Sequence, residues 1–355
     1  MKPVVLVLYG GRSSEHEVSC LSARSVLDAL DRDRWEVVAV GITREGRWTL
    51  TDGEIAPRPG AGLPEVDDAG ATVGLLGTRQ GPVLVRFDDR DTAAEVVARL
   101  DVAFPVLHGP FGEDGAVQGL FESVGLPYVG ADVTASSIGI DKAAMKAAFA
   151  AAQLPQGAYG VVRASDWARD PDEVRSRLRD LPLPWFSKPA RQGSSIGIRK
   201  VDDESQLGAA LGEAFAYDEV AVVEQGLHAP RELEVGVLGH DDVEVTAPGE
   251  IRPSHEFYDF EAKYLDDSEL VVPAELPPGV AEQIDALARR AYRAIGCSGM
   301  ARIDFFLDGE KLLVNEINTI PGFTPNSMFP RLWDAEGLAY PRLIDRLLDL
   351  ALQRT

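Results

Sequence analysis

The sequence predicts an α/β protein whose first third is built on a parallel sheet. Two observations carry this. Short apolar runs at residues 4–8, 35–42 and 101–107 read as buried strands, and helix signals fall between them. The strand ends also carry small-residue loops, Gly10-Gly11 after the first run and His108-Gly109 after the third. Ser13 and Ser14 offer hydroxyls to cap the first helix, with Glu15 and Glu17 in its first turn. A short helix follows Gly115, and residues 126–130 read as a fourth, short strand. Ligands gather at the carboxyl ends of the strands in such sheets. Residues 10–17 and 108–114 both lie there.

The remaining elements follow in order. A helix over 142–153 leads to a linker at Leu154-Pro155, then a helix near 171–179 and a strand over 185–188. A Gly/Ser loop, a strand over 197–201, a helix over 204–215 and a strand over 220–224 come next. The last third opens with a strand over 232–238 and a polar, aromatic loop over 252–268. A long helix over 279–295, a hairpin over 300–318 and a closing helix over 340–352 complete it. A chain of 355 residues accommodates several domains, expected at 1–137, 138–229 and 230–355. Residues 52–80 are rich in Gly, Pro and Ala and define little.

Acidic residues number 57 against 35 basic ones, a formal net charge of −22. That balance argues against nucleic-acid binding, which rests on clustered Lys and Arg. An anionic ligand would need a local set of cations or a metal. Cys20 and Cys297 stand apart in mixed apolar segments and read as reduced core thiols. The apolar run at the N-terminus is too short for a signal peptide, and no stretch reaches a membrane span. A soluble, cytoplasmic protein without membrane contact is expected.

Chemistry concentrates in five segments. Arg302-Ile303-Asp304 and Glu316-Ile317-Asn318 interrupt apolar strands, and period-two alternation puts each pair on one face. Three oxygen ligands on neighbouring strands suit Mg²⁺, although unconnected charges on a solvated hairpin are the plainer alternative. For all four side chains to share a face, paired positions must sum to an even number. This predicts a three-residue loop, Asp308-Gly309-Glu310, with positive φ at Gly309 or Glu310. Lys188, followed by Pro189-Ala190-Arg191-Gln192-Gly193-Ser194-Ser195, joins a strand end to a loop able to wrap phosphate oxygens. A flexible surface hairpin explains that stretch about as well. Gly10-Gly11 before a helix suits an anion, but Glu15 and Glu17 there attract an ammonium instead. His16 reads as structural, and His108-Gly109-Pro110-Phe111-Gly112-Glu113-Asp114-Gly115 is equally a ligand loop or a capped turn. Residues 257–264 are a core-covering loop or a lid that brings Lys263 and Tyr264 over a site.

Together these segments resemble the D-alanine–D-alanine ligases of the ATP-grasp superfamily, in the family's order from Gly10 to Met328. Residues 45–98 match weakly. The resemblance implies an ATP-grasp fold behind an N-terminal Rossmann-like domain. It also implies ATP, with Lys142, Lys188 and Ser195 among its contacts, Glu224 and Leu227 at the adenine and Glu232 at the ribose. Asp304, Glu316 and Asn318 would bind two Mg²⁺, with Mn²⁺ a possible substitute, and Lys263 would neutralise the transferring phosphoryl group. Glu15 would take the ammonium of the first D-alanine, with His108 close by and Ser194 and Tyr264 hydrogen-bonded to Glu15. Arg302 and the Gly322 N–H would stabilise an oxyanion, and Ser327 and Met328 would hold the second D-alanine. Tyr264, where D-lactate-forming relatives commonly carry histidine, favours an amine nucleophile. A homodimer serving peptidoglycan synthesis follows by the same analogy. A D-lactate or D-serine ligase and a non-catalytic nucleotide-binding protein are the alternatives. A dinucleotide-dependent oxidoreductase fails for want of a third glycine after Gly10-Gly11.

Overall fold

A computed structural model describes residues 2–55, 62–88, 93–252 and 269–354. Four sheets organise the chain. The first has the order Trp48–Thr51, Glu36–Ile42, Val4–Gly10, Val102–Val106, parallel except for its first strand. The expected strand at 126–130 reduces to a single parallel bridge from Tyr128 to Ala103. Residues 73–99 form a separate antiparallel sheet of Val73–Thr78, Gly81–Phe87 and Ala94–Arg99, which the sequence did not disclose.

The third sheet is antiparallel, in the order Arg199–Val201, Trp185–Pro189, Val220–Gln225, Tyr159–Arg163. Its inner face buries Val162, Trp185 and Val223 under the helices Pro171–Leu178 and Leu207–Phe215. Strand 197–201 starts later than expected, because Gly197 lies at φ +70° and belongs to the turn. The fourth sheet centres on Arg231–Gly239, flanked by Gly249–Arg252 and by the hairpin Gly299–Asp308 with Lys311–Asn318.

Two helices cross between these units. Lys142–Ala151 precedes the third sheet in sequence, yet Met145 and Phe149 pack with Val235, Ile303 and Ile317 of the fourth. The closing helix Tyr340–Leu352 buries Leu343, Ile344, Leu347 and Leu348 against Val5, Val7 and Phe104 of the first sheet. The Trp35 indole N–H donates to Asp345 Oδ1 at 2.8 Å, and Arg34 pairs with Asp345 and Asp349. Among the described residues no helix is long and apolar enough to cross a membrane. Cys20 and Cys297 are free and buried, and burial pushes both thiols up to about 12.

The first helix, His16–Ala29, is not capped by a serine hydroxyl as expected. Glu15 occupies the cap position, and the Ser13 hydroxyl accepts the Glu15 N–H at 3.2 Å while donating to His108 O at 2.6 Å. The hydroxyl thus ties the first strand's loop to the third strand's loop. His16 is structural: its Nε2 accepts from the Val66 N–H, so Nδ1 carries the proton and donates to Gly11 O.

Candidate active site

The carboxyl ends of the first sheet and the facing edges of the third and fourth enclose a cleft of about 1630 Å³. Its walls include Glu15, His108, Lys142, Lys188, Ser194, Ser195, Glu224, Leu227 and Glu232. Arg302, Asp304, Glu316, Asn318, Gly322, Ser327 and Met328 line the same space. Lys263 and Tyr264 lie outside the described residues.

At one end Glu15 is buried, and its two oxygens have different surroundings. Oε1 accepts from the Ser194 hydroxyl, which arrives from the loop between Trp185–Pro189 and Arg199–Val201. Among the described residues Oε2 has no hydrogen-bond partner, and it is buried. Gly193 and Gly109 flank it so closely that a Cβ on either would stand 2.8 or 2.7 Å from it. A buried carboxylate oxygen in a glycine-walled gap suits a small cation. Ser194 and Ser195 both adopt left-handed backbone, at φ +49° and +59°, which costs roughly 1–2 kcal/mol each. His108 Nδ1 lies 3.2 Å from Ile320 O, which only accepts, so Nδ1 bears the proton and Nε2 accepts from Ser22 at 3.2 Å. Burial holds this imidazole below its ordinary pKa, against the pull of Glu15, and keeps it neutral.

The sequence reading placed Glu113 in a candidate loop but gave it no role. Its Oε1 accepts the Gly109 N–H at 2.8 Å and so fixes the turn that meets Glu15. Burial, and next the charge of Glu15, push its carboxyl up to about 8. The Glu113-Asp114 pair inside a glycine-rich loop at a strand end was the available signal.

At the other end of the cleft the lysines gather. Lys188 Nζ donates to Glu224 Oε2 at 3.0 Å, and Lys142 Nζ donates to Gln192 O at 2.6 Å. Lys146, which the sequence reading missed, is 2% exposed and stands 3.4 Å from Glu224 Oε1. Burial would raise the Glu224 carboxyl, but Lys188 and Lys146 outweigh it and hold it near 2.

Between the two ends lies the hairpin. Asp304 stands opposite Glu316 and Arg302 opposite Asn318, so all four side chains share one face. The predicted three-residue loop is wrong. Asp308 pairs with Lys311 across a two-residue turn, Gly309-Glu310, with Gly309 at φ +62°. A bulge restores the even sum: Phe305 pairs with Val314 but Asp304 with Glu316, leaving Asn315 as the extra residue. Arg302 reaches Asp304 through Nε at 2.7 Å and Nη2 at 2.8 Å, and Nε also lies 2.9 Å from Glu234 Oε2. Desolvation lowers the guanidinium pKa, but Asp304 and Glu234 more than reverse it and keep the charge. Asn318 Nδ2 donates to Asp304 Oδ2 at 3.0 Å. Two carboxylates and an amide are a hard-oxygen donor set that fits Mg²⁺. Among the described residues no three His, Cys, Asp or Glu side chains form a cage for a metal.

Two antiparallel sheets facing across a cleft lined with lysines and carboxylates, behind a parallel N-terminal sheet, define an ATP-grasp enzyme. The models of the D-ala D-ala ligase N-terminus and C-terminus match residues 4–131 and 148–349. The chain belongs to the D-alanine–D-alanine ligase family and is a ligase. It is 45% identical to the D-alanine–D-alanine ligase of Streptomyces avermitilis, over 100% of this chain and 95% of that protein. It is 49% identical to that of Rhodococcus opacus, over 99% and 97%. The solved D-alanine–D-alanine ligase from Coxiella burnetii superposes with a TM-score of 0.83 at 33% identity, covering 99% of this chain and 94% of that one. The VanG D-Ala:D-Ser ligase from Enterococcus faecalis gives 0.83 at 31%, over 99% and 100%.

Proposed function

We propose that the cleft joins two D-alanine molecules at the expense of ATP, supplying a peptidoglycan precursor in the cytoplasm. The observation that carries this is the buried Glu15 Oε2, unpartnered among the described residues, in its glycine-walled gap, in one cleft with Arg302 and the lysines. An ammonium of the first D-alanine fills that gap and leaves its carboxylate toward the centre. That carboxylate oxygen attacks the γ-phosphorus, ADP leaves, and a D-alanyl phosphate forms. The amine of the second D-alanine then attacks the carbonyl carbon, and inorganic phosphate leaves from the tetrahedral intermediate.

Lys142, Lys188 and Ser195 steady the phosphates, Glu224 and Leu227 meet the adenine, and Glu232 meets the ribose. Arg302 keeps its charge in the buried site and, with the Gly322 N–H, faces the developing oxyanion. Ser327 and Met328 hold the second D-alanine. The Ser327 hydroxyl accepts from the Thr324 N–H at 3.1 Å, which fixes its direction. Asp304, Glu316 and Asn318 would hold Mg²⁺, which when bound neutralises phosphate oxygens and polarises the phosphorus. Lys263 and Tyr264 enter this proposal on family likeness alone: Lys263 would neutralise the transferring phosphoryl group and Tyr264 would hydrogen-bond with Glu15. The homologues named for D-alanine–D-alanine ligation, at 45% and 49% identity, support an amine rather than a hydroxyl acceptor. A homodimer is proposed on family likeness alone.

Phosphate release from ATP and Mg²⁺ tests this with D-alanine and L-alanine compared. Release that depends on D-alanine, and falls at least a hundredfold in Arg302→Ala, is expected. Equal release with and without amino acid would overturn the proposal.

A further inference from the structure

Lys146 has no task in the reaction as set out above, yet it is buried to 2% exposure in the cleft wall. A lysine is almost never buried so deeply without a partner that needs its charge. Its ammonium lies 3.4 Å from Glu224 Oε1 and 5.4 Å from the centre of the Tyr159 ring. Tyr159 is the strand neighbour directly opposite Glu224, so one ammonium braces both. The other carboxylate oxygen, Oε2, belongs to Lys188 at 3.0 Å. One buried carboxylate therefore has two cations, one for each oxygen.

The two cations differ in what else they can reach. Lys188 ends a strand beside the Ser194-Ser195 loop, where anionic oxygens would bind. Lys146 is enclosed on the helix Lys142–Ala151 and, among the described residues, its ammonium meets only Glu224 and the ring. When a phosphate draws Lys188 away, Oε2 loses its donor while Lys146 still anchors Oε1. Glu224 then stays ionised and fixed, with one free acceptor facing the cleft. An exocyclic amine on a purine satisfies that acceptor, whereas a carbonyl at the same place opposes two acceptors.

We propose that Lys146 is a positioning residue that sets the purine selectivity of the nucleotide site by holding Glu224 Oε1. This rests on the reading that the cleft binds ATP. Calorimetric binding of ADP and GDP to the full-length protein tests it, with Lys146→Met and Lys146→Arg compared. Wild-type protein should prefer ADP. Lys146→Met should cut the ADP-over-GDP preference about tenfold or more, because the carboxylate loses its fixed orientation. Lys146→Arg, which returns a cation to Oε1, should recover most of it. Equal weakening of both nucleotides in Lys146→Met, or no change in either, would overturn the inference. If Lys146→Met lacks a cooperative thermal transition, Lys146→Gln is read by the same ratio. It keeps a polar end in the buried place but removes the charge, and an unaltered preference there counts against the proposal. Wild-type protein that binds ADP and GDP equally sinks this inference alone. Wild-type protein that binds neither sinks the ATP reading and this inference with it.

Discussion

Glu15 shows how much of the site rests on single atoms. Its Oε1 is held by Ser194 and its Oε2 is buried with no donor among the described residues. Glu15→Gln keeps the shape and the Ser194 contact but removes the charge. The KM for D-alanine should rise roughly ten- to a hundredfold, since hydrogen bonds to charged groups contribute about 1.5–3 kcal/mol. The thermal midpoint should hold or rise, because a buried charge is lost, and steady-state kinetics with a melting curve check both. Gly193→Ala should act on the same atom from outside, since its Cβ would meet Glu15 Oε2 at 2.8 Å. An alanine there that leaves the D-alanine KM unchanged would show that the gap is not the ammonium site.

The hairpin Gly299–Asp308 and Lys311–Asn318 shows what a sequence displays of an element and what it withholds. Alternation was legible, so Arg302 with Asp304 and Glu316 with Asn318 could be assigned to faces. The bulge was not, because one unpaired residue leaves no mark in an apolar run. Its consequence, four polar side chains on one face, was still forced by the requirement that they meet. Deleting Asn315 should therefore keep Asp304 opposite Glu316 and retain Mg²⁺-dependent nucleotide binding. Deleting Val314 instead drops Asn315 into the buried place opposite Phe305 and should cost roughly 3 kcal/mol, read by denaturant unfolding. The sheet of residues 73–99 was hidden for another reason. Its outer strand Ala94–Arg99 is exposed along nearly its whole length, with Val96 and Val97 facing solvent, so no apolar alternation announces it. The roles of Glu113 and Lys146 escaped notice because they depend on other elements: Glu15 raises the first carboxyl, and the second residue pairs with Glu224.

At the scale of the molecule, the cleft is assembled from distant parts of the chain, and its charges tie stability to pH. The Glu224 carboxyl is held near 2 against an ordinary 4.5. A depressed pKa contributes stability above 4.5, and that contribution, roughly 3 kcal/mol, is lost as pH falls from 4.5 toward 2. Glu113 has the opposite sign. Its carboxyl titrates near 8 rather than 4.5, so the folded state loses stability as pH rises through that interval. Glu113→Gln should melt higher than wild type at pH 9 and nearly alike at pH 4. The same melting temperature at both pH values would contradict the assignment. The closing helix binds the first sheet through Trp35 and Asp345, far along the chain from each other. Trp35→Phe should lower stability by about 1 kcal/mol with kcat nearly unchanged, because it loses one buried hydrogen bond outside the cleft.

The most direct test of the central claim is to supply D-alanine, D-serine and D-lactate together with ATP and Mg²⁺ and weigh the products. D-alanyl-D-alanine as the dominant product, with one ADP and one phosphate formed for each dipeptide, is the predicted result. A dominant D-alanyl-D-serine or D-alanyl-D-lactate product, or ATP consumed with no condensed product, would contradict it.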